Sequence, residues 1–183
     1  MWGVTRVGGV RRPSRLARRR ASGDSPTVAL MAEAIVLCGV QGSGKTTLYR
    51  DRFLATHVRI SMDLLRTRAR EAAFLELCLA SGHPFVVDNT NPRPADRRRY
   101  TEAARAAGFR TAGYLVEVDV SVAHARNADR TGRERVPAQG LHGTARRLLP
   151  PTPEEGFDEL WHATAASDGG WRIEPLVTTP PLF

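Results

Sequence analysis

Ala34-Ile35-Val36-Leu37-Cys38-Gly39-Val40-Gln41-Gly42-Ser43-Gly44-Lys45-Thr46-Thr47 is an apolar run of five residues, a glycine-rich turn, and the start of a helix-forming segment that continues to Phe53. The turn fits G-x-x-x-x-G-K-[ST], and the strand before it and helix after it are the context that gives the pattern its meaning. Backbone N–H groups of such a turn converge on phosphate oxygens because no Cβ blocks the approach, and the helix N-terminus adds positive dipole. Gly39, Gln41, Gly42, Ser43, Gly44, Lys45, Thr46 and Thr47 are therefore the expected ATP-binding residues. Lys45 would meet the β- and γ-phosphates, and Thr46 would offer its hydroxyl to Mg²⁺. Lys45 is also the only lysine in a chain rich in arginine. The loop keeps the compact ammonium that phosphate cradling uses, and a guanine-reading N-K-x-D motif, which needs a second lysine, is excluded.

Outward from this unit the alternation repeats. Residues 58–61 and 85–88 read as strands. The intervening 64–79 place Leu64, Leu65, Ala72, Leu75 and Leu79 at roughly helical spacing. Pro94 suits a first helical turn, helix formers run to Ala107, and Gly108 is a stop signal. A fourth strand is expected over 112–118 and a helix over 122–129. The charged, glycine-containing 130–136 read as a mobile lid, which with its flanks spans about 126–137. A short helix around 154–160 and a last strand near 171–174 complete the pattern. Strands alternating with helices predict an α/β domain with a mainly parallel sheet covered by helices on both faces, and a ligand at the carboxyl ends of the strands.

Composition narrows the rest. The net charge of +8 invites a nucleic-acid reading, but residues 1–30 hold seven arginines against Asp24 alone, so about +2 belongs to 31–183. This Arg-, Gly-, Ser- and Pro-rich stretch shows no periodicity and is expected to be a disordered extension. It would be an inert tail with translation starting at Met31, a targeting peptide or a basic arm; 31–183 would form the domain. No run approaches the roughly 18 to 20 apolar residues of a membrane-spanning helix. Cys38 and Cys78 are too few for a disulfide scaffold or a four-ligand zinc site, so a cytoplasmic protein with reduced thiols is expected, Cys38 being a small core residue.

A hydroxyl that accepts a phosphoryl group needs a carboxylate to take its proton and cations to hold charge. Asp63 falls just after the second strand, where a γ-phosphate would lie, and Arg66 three residues on would share its helical face. Taken alone, an aspartate at this place is more often a helix cap or first-turn charge. Asp88 ends the third strand and would help place Mg²⁺ through water, and Asn89-Thr90-Asn91-Pro92 offers polar side chains beyond it, although turn chemistry accounts for that tetrapeptide equally well. Arg126, Arg130, Arg133 and Arg135 form a basic cluster that is either a closing lid or a solvated face. Arg93, Arg97, Arg98 and Arg99 could supply a basic track towards Asp63 for a polyanion, or a charged helix start.

From about Ala34 to Leu160 the chain resembles the 5′-hydroxyl polynucleotide kinases of phages and animals. Beyond the phosphate loop, the likeness rests on Ile60-Ser61-Met62-Asp63-Leu64-Leu65-Arg66, on Val86-Val87-Asp88-Asn89-Thr90-Asn91-Pro92, on Arg126-Asn127-Ala128-Asp129-Arg130 with Arg133 to Pro137, and on Pro151-Thr152-Pro153-Glu154-Glu155-Gly156-Phe157. The resemblance implies a P-loop kinase using ATP and Mg²⁺, with Asp63 as general base and Arg66 as a clamp on the terminal nucleotide's phosphate. Asn89, Thr90 and Asn91 would line the acceptor site, and Arg130 would be the lid arginine on the donor phosphates, with Arg126 nearby. No D-x-D phosphatase motif is present, so 3′-end processing is not expected. Two other readings compete: a kinase for a nucleoside, sugar or antibiotic-like hydroxyl compound, and an ATP-binding switch or nucleic-acid-binding module with Asp63 structural. Oligomeric state has no signature here.

Overall fold

A computed structural model describes residues 32–129, 136–166 and 168–177; the expected basic extension and most of the expected lid, with Arg130, Arg133 and Arg135, lie outside them. The described elements run β1 (Glu33–Cys38), α1 (Lys45–Arg52), β2 (Val58–Ile60), α2 (Met62–Leu65), α3 (Arg68–Ser81), β3 (Phe85–Asp88), α4 (Pro94–Ala106), β4 (Arg110–Val116), α5 (Val120–Ala128), α6 (Ala138–Arg147), a 3-10 turn (Pro153–Glu155), β5 (Glu159–Ala165) and β6 (Trp171–Pro175). The sheet has the order β2-β3-β1-β4-β5-β6. Every neighbouring pair is parallel except β5 with β6. The mainly parallel α/β architecture expected from the alternation is the one observed.

β1 lies at the centre and is apolar on both faces, as a strand covered on both sides must be. Its period-two alternation feeds two cores. Ala34, Val36 and Cys38 join Ile60, Phe85, Val87, Tyr100 and Ala104; Ile35 and Leu37 join Leu48, Val86, Val116 and Ala163. Cys38 is fully buried, and that burial pushes its thiol up to about 12, so it is the inert core residue its apolar setting predicts. The chain leaves β1 for β2 on one side of the sheet and for β4, β5 and β6 on the other, with β3 and β4 flanking β1. A crevice opens at such a reversal, beyond the strands' carboxyl ends.

Three expectations are corrected. The single helix over 64–79 is two: Arg66 adopts a left-handed φ of 69°, and Thr67 restarts the helix by accepting a hydrogen bond from Arg70 N at 3.3 Å. The helix around 154–160 is a 3-10 turn ended by Gly156, and Glu159 already begins β5, whose polar residues hide its strand character. Arg97 belongs to no surface track. It is fully buried, its guanidinium paired with Glu155 at 2.6 Å through both Nε and Nη2 and donating from Nη1 to Asn91 O and Leu149 O. It ties α4 to the chain that follows α6.

Candidate active site

The glycine loop joins the buried end of β1 to α1. Gly42 and Gly44 sit at φ 80° and 100°, a conformation L side chains rarely adopt, and a Cβ on Gly42 would lie 2.6 Å from Ala123 O. The loop is thus fixed by packing against α5 as well as by its own turn. Lys45, 8% exposed, folds back over it, donating to Gly39 O at 2.9 Å and Val40 O at 2.6 Å. Gly39 N donates to Thr90 O at 3.1 Å, which ties the loop to the end of β3. Gln41 donates to Thr144 Oγ1, and its Oε1 is buried with no partner among the described residues.

At the start of α1, Thr46 Oγ1 donates to Asp88 Oδ2 at 2.8 Å. Arg59, on β2, rests on both: its Nη2 is 2.5 Å from Asp88 Oδ2 and 3.1 Å from Thr46 Oγ1. A cation of the chain itself thus already favours the spot between these two oxygens. They are the hard oxygen donors Mg²⁺ takes, so Thr46 and Asp88 fit the metal expected there. Arg59 carries no motif; a charged residue in a short strand is its only trace in the sequence.

Asp63, exposed on α2, shares a cavity of about 100 Å³ with Gln41, Gly42, Gly44, Lys45, Thr46, Thr47, Asp88, Asn89 and Thr90. Loop and carboxylate, 18 residues apart, therefore face the same space. A second cavity of about 250 Å³ shares Asn89 and Thr90 with the first and adds Asn91, Arg68, Arg93, Arg147 and one carboxylate, Asp96. Arg93 and Arg147 in turn border a third hollow with Arg98 and Arg146. A basic groove thus leads away from Asp63. Arg93 and Arg98 belong to it as expected; Arg68, Arg146 and Arg147 take the places foreseen for Arg97 and Arg99.

Asn89 and Asn91, expected to line the acceptor site, border these cavities and also do structural work. Asn91 is 3% exposed, with Nδ2 donating to Leu37 O at 2.8 Å, so its polar side chain pins β1 to the turn after β3. Asn89 is committed at both ends: Oδ1 accepts from Met62 N at 2.8 Å and Nδ2 donates to Glu71 Oε1 at 2.8 Å. Arg66 is exposed and borders none of these hollows. Its helical face with Asp63 is lost because it is the left-handed residue that ends α2.

On the outer side of the loop a hollow of about 400 Å³ is lined by Gly42, Gly44, Thr47, Arg126, Ala165, Ala166, Gly169, Gly170 and Trp171. Trp171 reaches over Gly44 and donates from Nε1 to Asp51 Oδ2 at 2.9 Å. Arg126 and Thr47, both expected at the ATP site, line this hollow beside the loop; Trp171 has no trace in the sequence, because a lone tryptophan on an edge strand has no motif.

These features define a P-loop nucleotide-binding domain. A family model described as "AAA domain" matches residues 35–151, and the chain belongs to that family. It is 26% identical over 132 residues to the bifunctional polynucleotide phosphatase/kinase of Schizosaccharomyces pombe, covering 70% of this chain and 32% of that protein. A relative from Acanthamoeba polyphaga mimivirus, with a name of the same kind, is 28% identical over 152 residues, covering 78% and 36%. The chain thus spans about a third of the length of these curated relatives. Among solved structures, Chaetomium thermophilum Kti12 in complex with ADP-AlF3 aligns with a TM-score of 0.58 at 18% identity, over 74% of this chain and 92% of the other. A gluconokinase from Sinorhizobium meliloti aligns with a TM-score of 0.50 at 21% identity, over 75% and 85%. Both likenesses are of fold. Among the described residues no helix is long and apolar enough to cross a membrane.

Proposed function

We propose that residues 31–183 form a kinase domain that transfers the γ-phosphate of ATP to the 5′-hydroxyl of a DNA or RNA end. The observation that carries this reading is the arginine-lined groove that begins at the Asp63 cavity and runs past Arg68, Arg93 and Arg147. A small hydroxyl compound would fill the cavity alone; a strand has further phosphates, and a row of guanidiniums matches them. The likeness to polynucleotide kinases in the Asp63 and Asp88-Asn89 segments supports the same substrate.

In this mechanism the loop N–H groups and Lys45 hold the β- and γ-phosphates and take up the charge that develops on them. Thr46, and Asp88 through water, would hold Mg²⁺, which when bound neutralises phosphate charge. Asp63 removes the proton from the 5′-hydroxyl as its oxygen bonds to the γ-phosphorus, and the bond from that phosphorus to the bridging oxygen breaks, releasing ADP. Arg126 and Trp171, which line the hollow beside Gly44 and Thr47, would flank bound ATP, and the resemblance implies Arg130 as the lid arginine on the donor phosphates. The resemblance implies Arg66 as the clamp on the terminal nucleotide's phosphate, which requires its side chain to turn in from outside the cavity and groove, and Thr90 borders the acceptor.

The test is transfer of labelled γ-phosphate to 5′-OH DNA and RNA oligonucleotides beside nucleosides and sugars, with Asp63→Asn as control. Label on oligonucleotide ends that vanishes in the variant is the expected result. Label on small compounds alone would make the protein a metabolite kinase, and slow ATP hydrolysis without transfer would make it an ATP-binding switch.

A further inference from the structure

Glu71 lies in the first turn of α3 and is 3% exposed. A carboxylate so buried is costly unless donors surround it, and here they do. Tyr100 Oη donates to Oε1 at 2.7 Å, Asn89 Nδ2 to Oε1 at 2.8 Å and Arg68 Nη1 to Oε2 at 2.6 Å, with Arg99 Nη2 3.4 Å from Oε2. Burial pushes the carboxyl up, but donation from Tyr100, Arg68 and Asn89 outweighs it and holds Glu71 below its ordinary value. Tyr100, buried and facing this charge, is pushed up to about 12 and stays a donor at neutral pH.

The consequence for Asn89 follows from donor and acceptor inventory. An ionised carboxylate only accepts, so it takes the NH₂ end of the amide and turns the oxygen the other way. That oxygen meets Met62 N, the first residue of α2 and the neighbour of Asp63. α2 is a single turn of four residues with no side-chain cap of its own from Ser61. A single turn is not stable alone, and the remote cap from Asn89 helps fix where it starts. Glu71 thus acts on the same turn that carries Asp63, while its other oxygen holds Arg68 on the groove.

We infer that Glu71 is a positioning residue for phosphoryl transfer: by orienting Asn89 it caps α2 and sets Asp63 against the phosphate loop. The inference rests on the reading of Asp63 as the base, since an idle Asp63 would need no positioning. A shift of about 1 Å in a reacting group costs roughly 100-fold in rate, which sets the scale of the expected effect.

The experiment measures oligonucleotide phosphorylation by Glu71→Gln, Asn89→Ala and the double variant, well below their melting temperatures, with Asp63→Asn alongside. Glu71→Gln is expected to lower kcat by roughly 10- to 100-fold with KM for ATP within about twofold. Asn89→Ala should do the same, and the double variant should be no slower than Asn89→Ala alone, because the two residues act in series. A lowered melting temperature with kcat intact in Glu71→Gln would make its role merely structural and overturn the inference, as would a double variant whose losses multiply. If Glu71→Gln does not fold, Asn89→Ala decides: an unchanged kcat overturns the link to α2. An inactive Asp63→Asn beside a fully active Glu71→Gln would sink this inference and leave the proposed reaction standing, whereas a fully active Asp63→Asn would remove the base and, with it, the reason for positioning it.

Discussion

The two walls of the cleft are built in opposite ways. The phosphate loop is eight consecutive residues, shaped mainly by backbone torsions at Gly42 and Gly44 and by one lysine folded onto the loop's carbonyls, with α5 packed against it. The wall that carries Asp63 is assembled from α2, α3, α4 and the end of β3, through the half-buried Asn89 and the buried Glu71 and Tyr100. Behind it Arg97 and Glu155 lock α4 to the segment after α6. A site made by one local turn can lose its chemistry without losing the fold. A site made by long-range side-chain pairs cannot, because the pairs that shape it also hold the domain together.

The largest expected effect tests the second half of that contrast. Arg97→Ala leaves Glu155 buried without its partner and should lower unfolding free energy by about 3–5 kcal/mol, read by urea denaturation. A loss under about 1 kcal/mol would show that the wall does not depend on this pair. Lys45→Ala tests the first half: transfer should fall roughly 100- to 1,000-fold, while the unfolding free energy of the ligand-free protein moves by less than about 1 kcal/mol. A collapse of stability in that variant would erase the distinction between the walls. Trp171→Ala removes a ring from the outer side of the loop and should weaken ATP binding about tenfold, or about 1.4 kcal/mol, by calorimetric titration; the KM for the oligonucleotide should not change.

The smallest effect is in pH. Glu71 sits below its ordinary value of 4.5 when folded, so its contribution to stability is present above that pH and is lost as pH falls through the lower folded value. The stability difference between wild type and Glu71→Gln should therefore be constant near neutrality and shrink below about pH 4.5. A difference that stayed flat under acid would show that the Glu71 charge adds nothing to folding.

The same contrast decides what could be read from the sequence. The loop, β1 and α1 were legible because their signal is contiguous: five apolar residues, a spaced glycine pattern and one lysine. Asp63 could be placed just after the second strand and Asp88 at the end of the third by the strand-helix rhythm alone. What escaped depends on partners distant in the chain. Arg97 looks like its solvated neighbours Arg98 and Arg99 until Glu155, 58 residues on, is brought against it. Asn89 and Asn91 read as ligand-facing amides, and the sequence does not show that one is also turned by Glu71 and the other also bound to Leu37 O. α6 carries two glycines in ten residues, Gly140 and Gly143, and β5 is laced with polar side chains, so neither shows the periodicity that would announce it. The break at Arg66 needed a left-handed residue that is not glycine, the rarest kind of helix end to foresee.

The lysine at the centre of the loop has one more consequence. Since every other basic side chain that keeps its charge at neutral pH is an arginine, Lys45 is the sole ε-amine in the molecule. An amine-directed acylating reagent, apart from any α-amino group, therefore has a single address, and in the proposed reaction that address would lie under the nucleotide. The yield of one modified peptide in a mass spectrum becomes a direct gauge of how many molecules hold ATP, with no dye, tag or engineered residue.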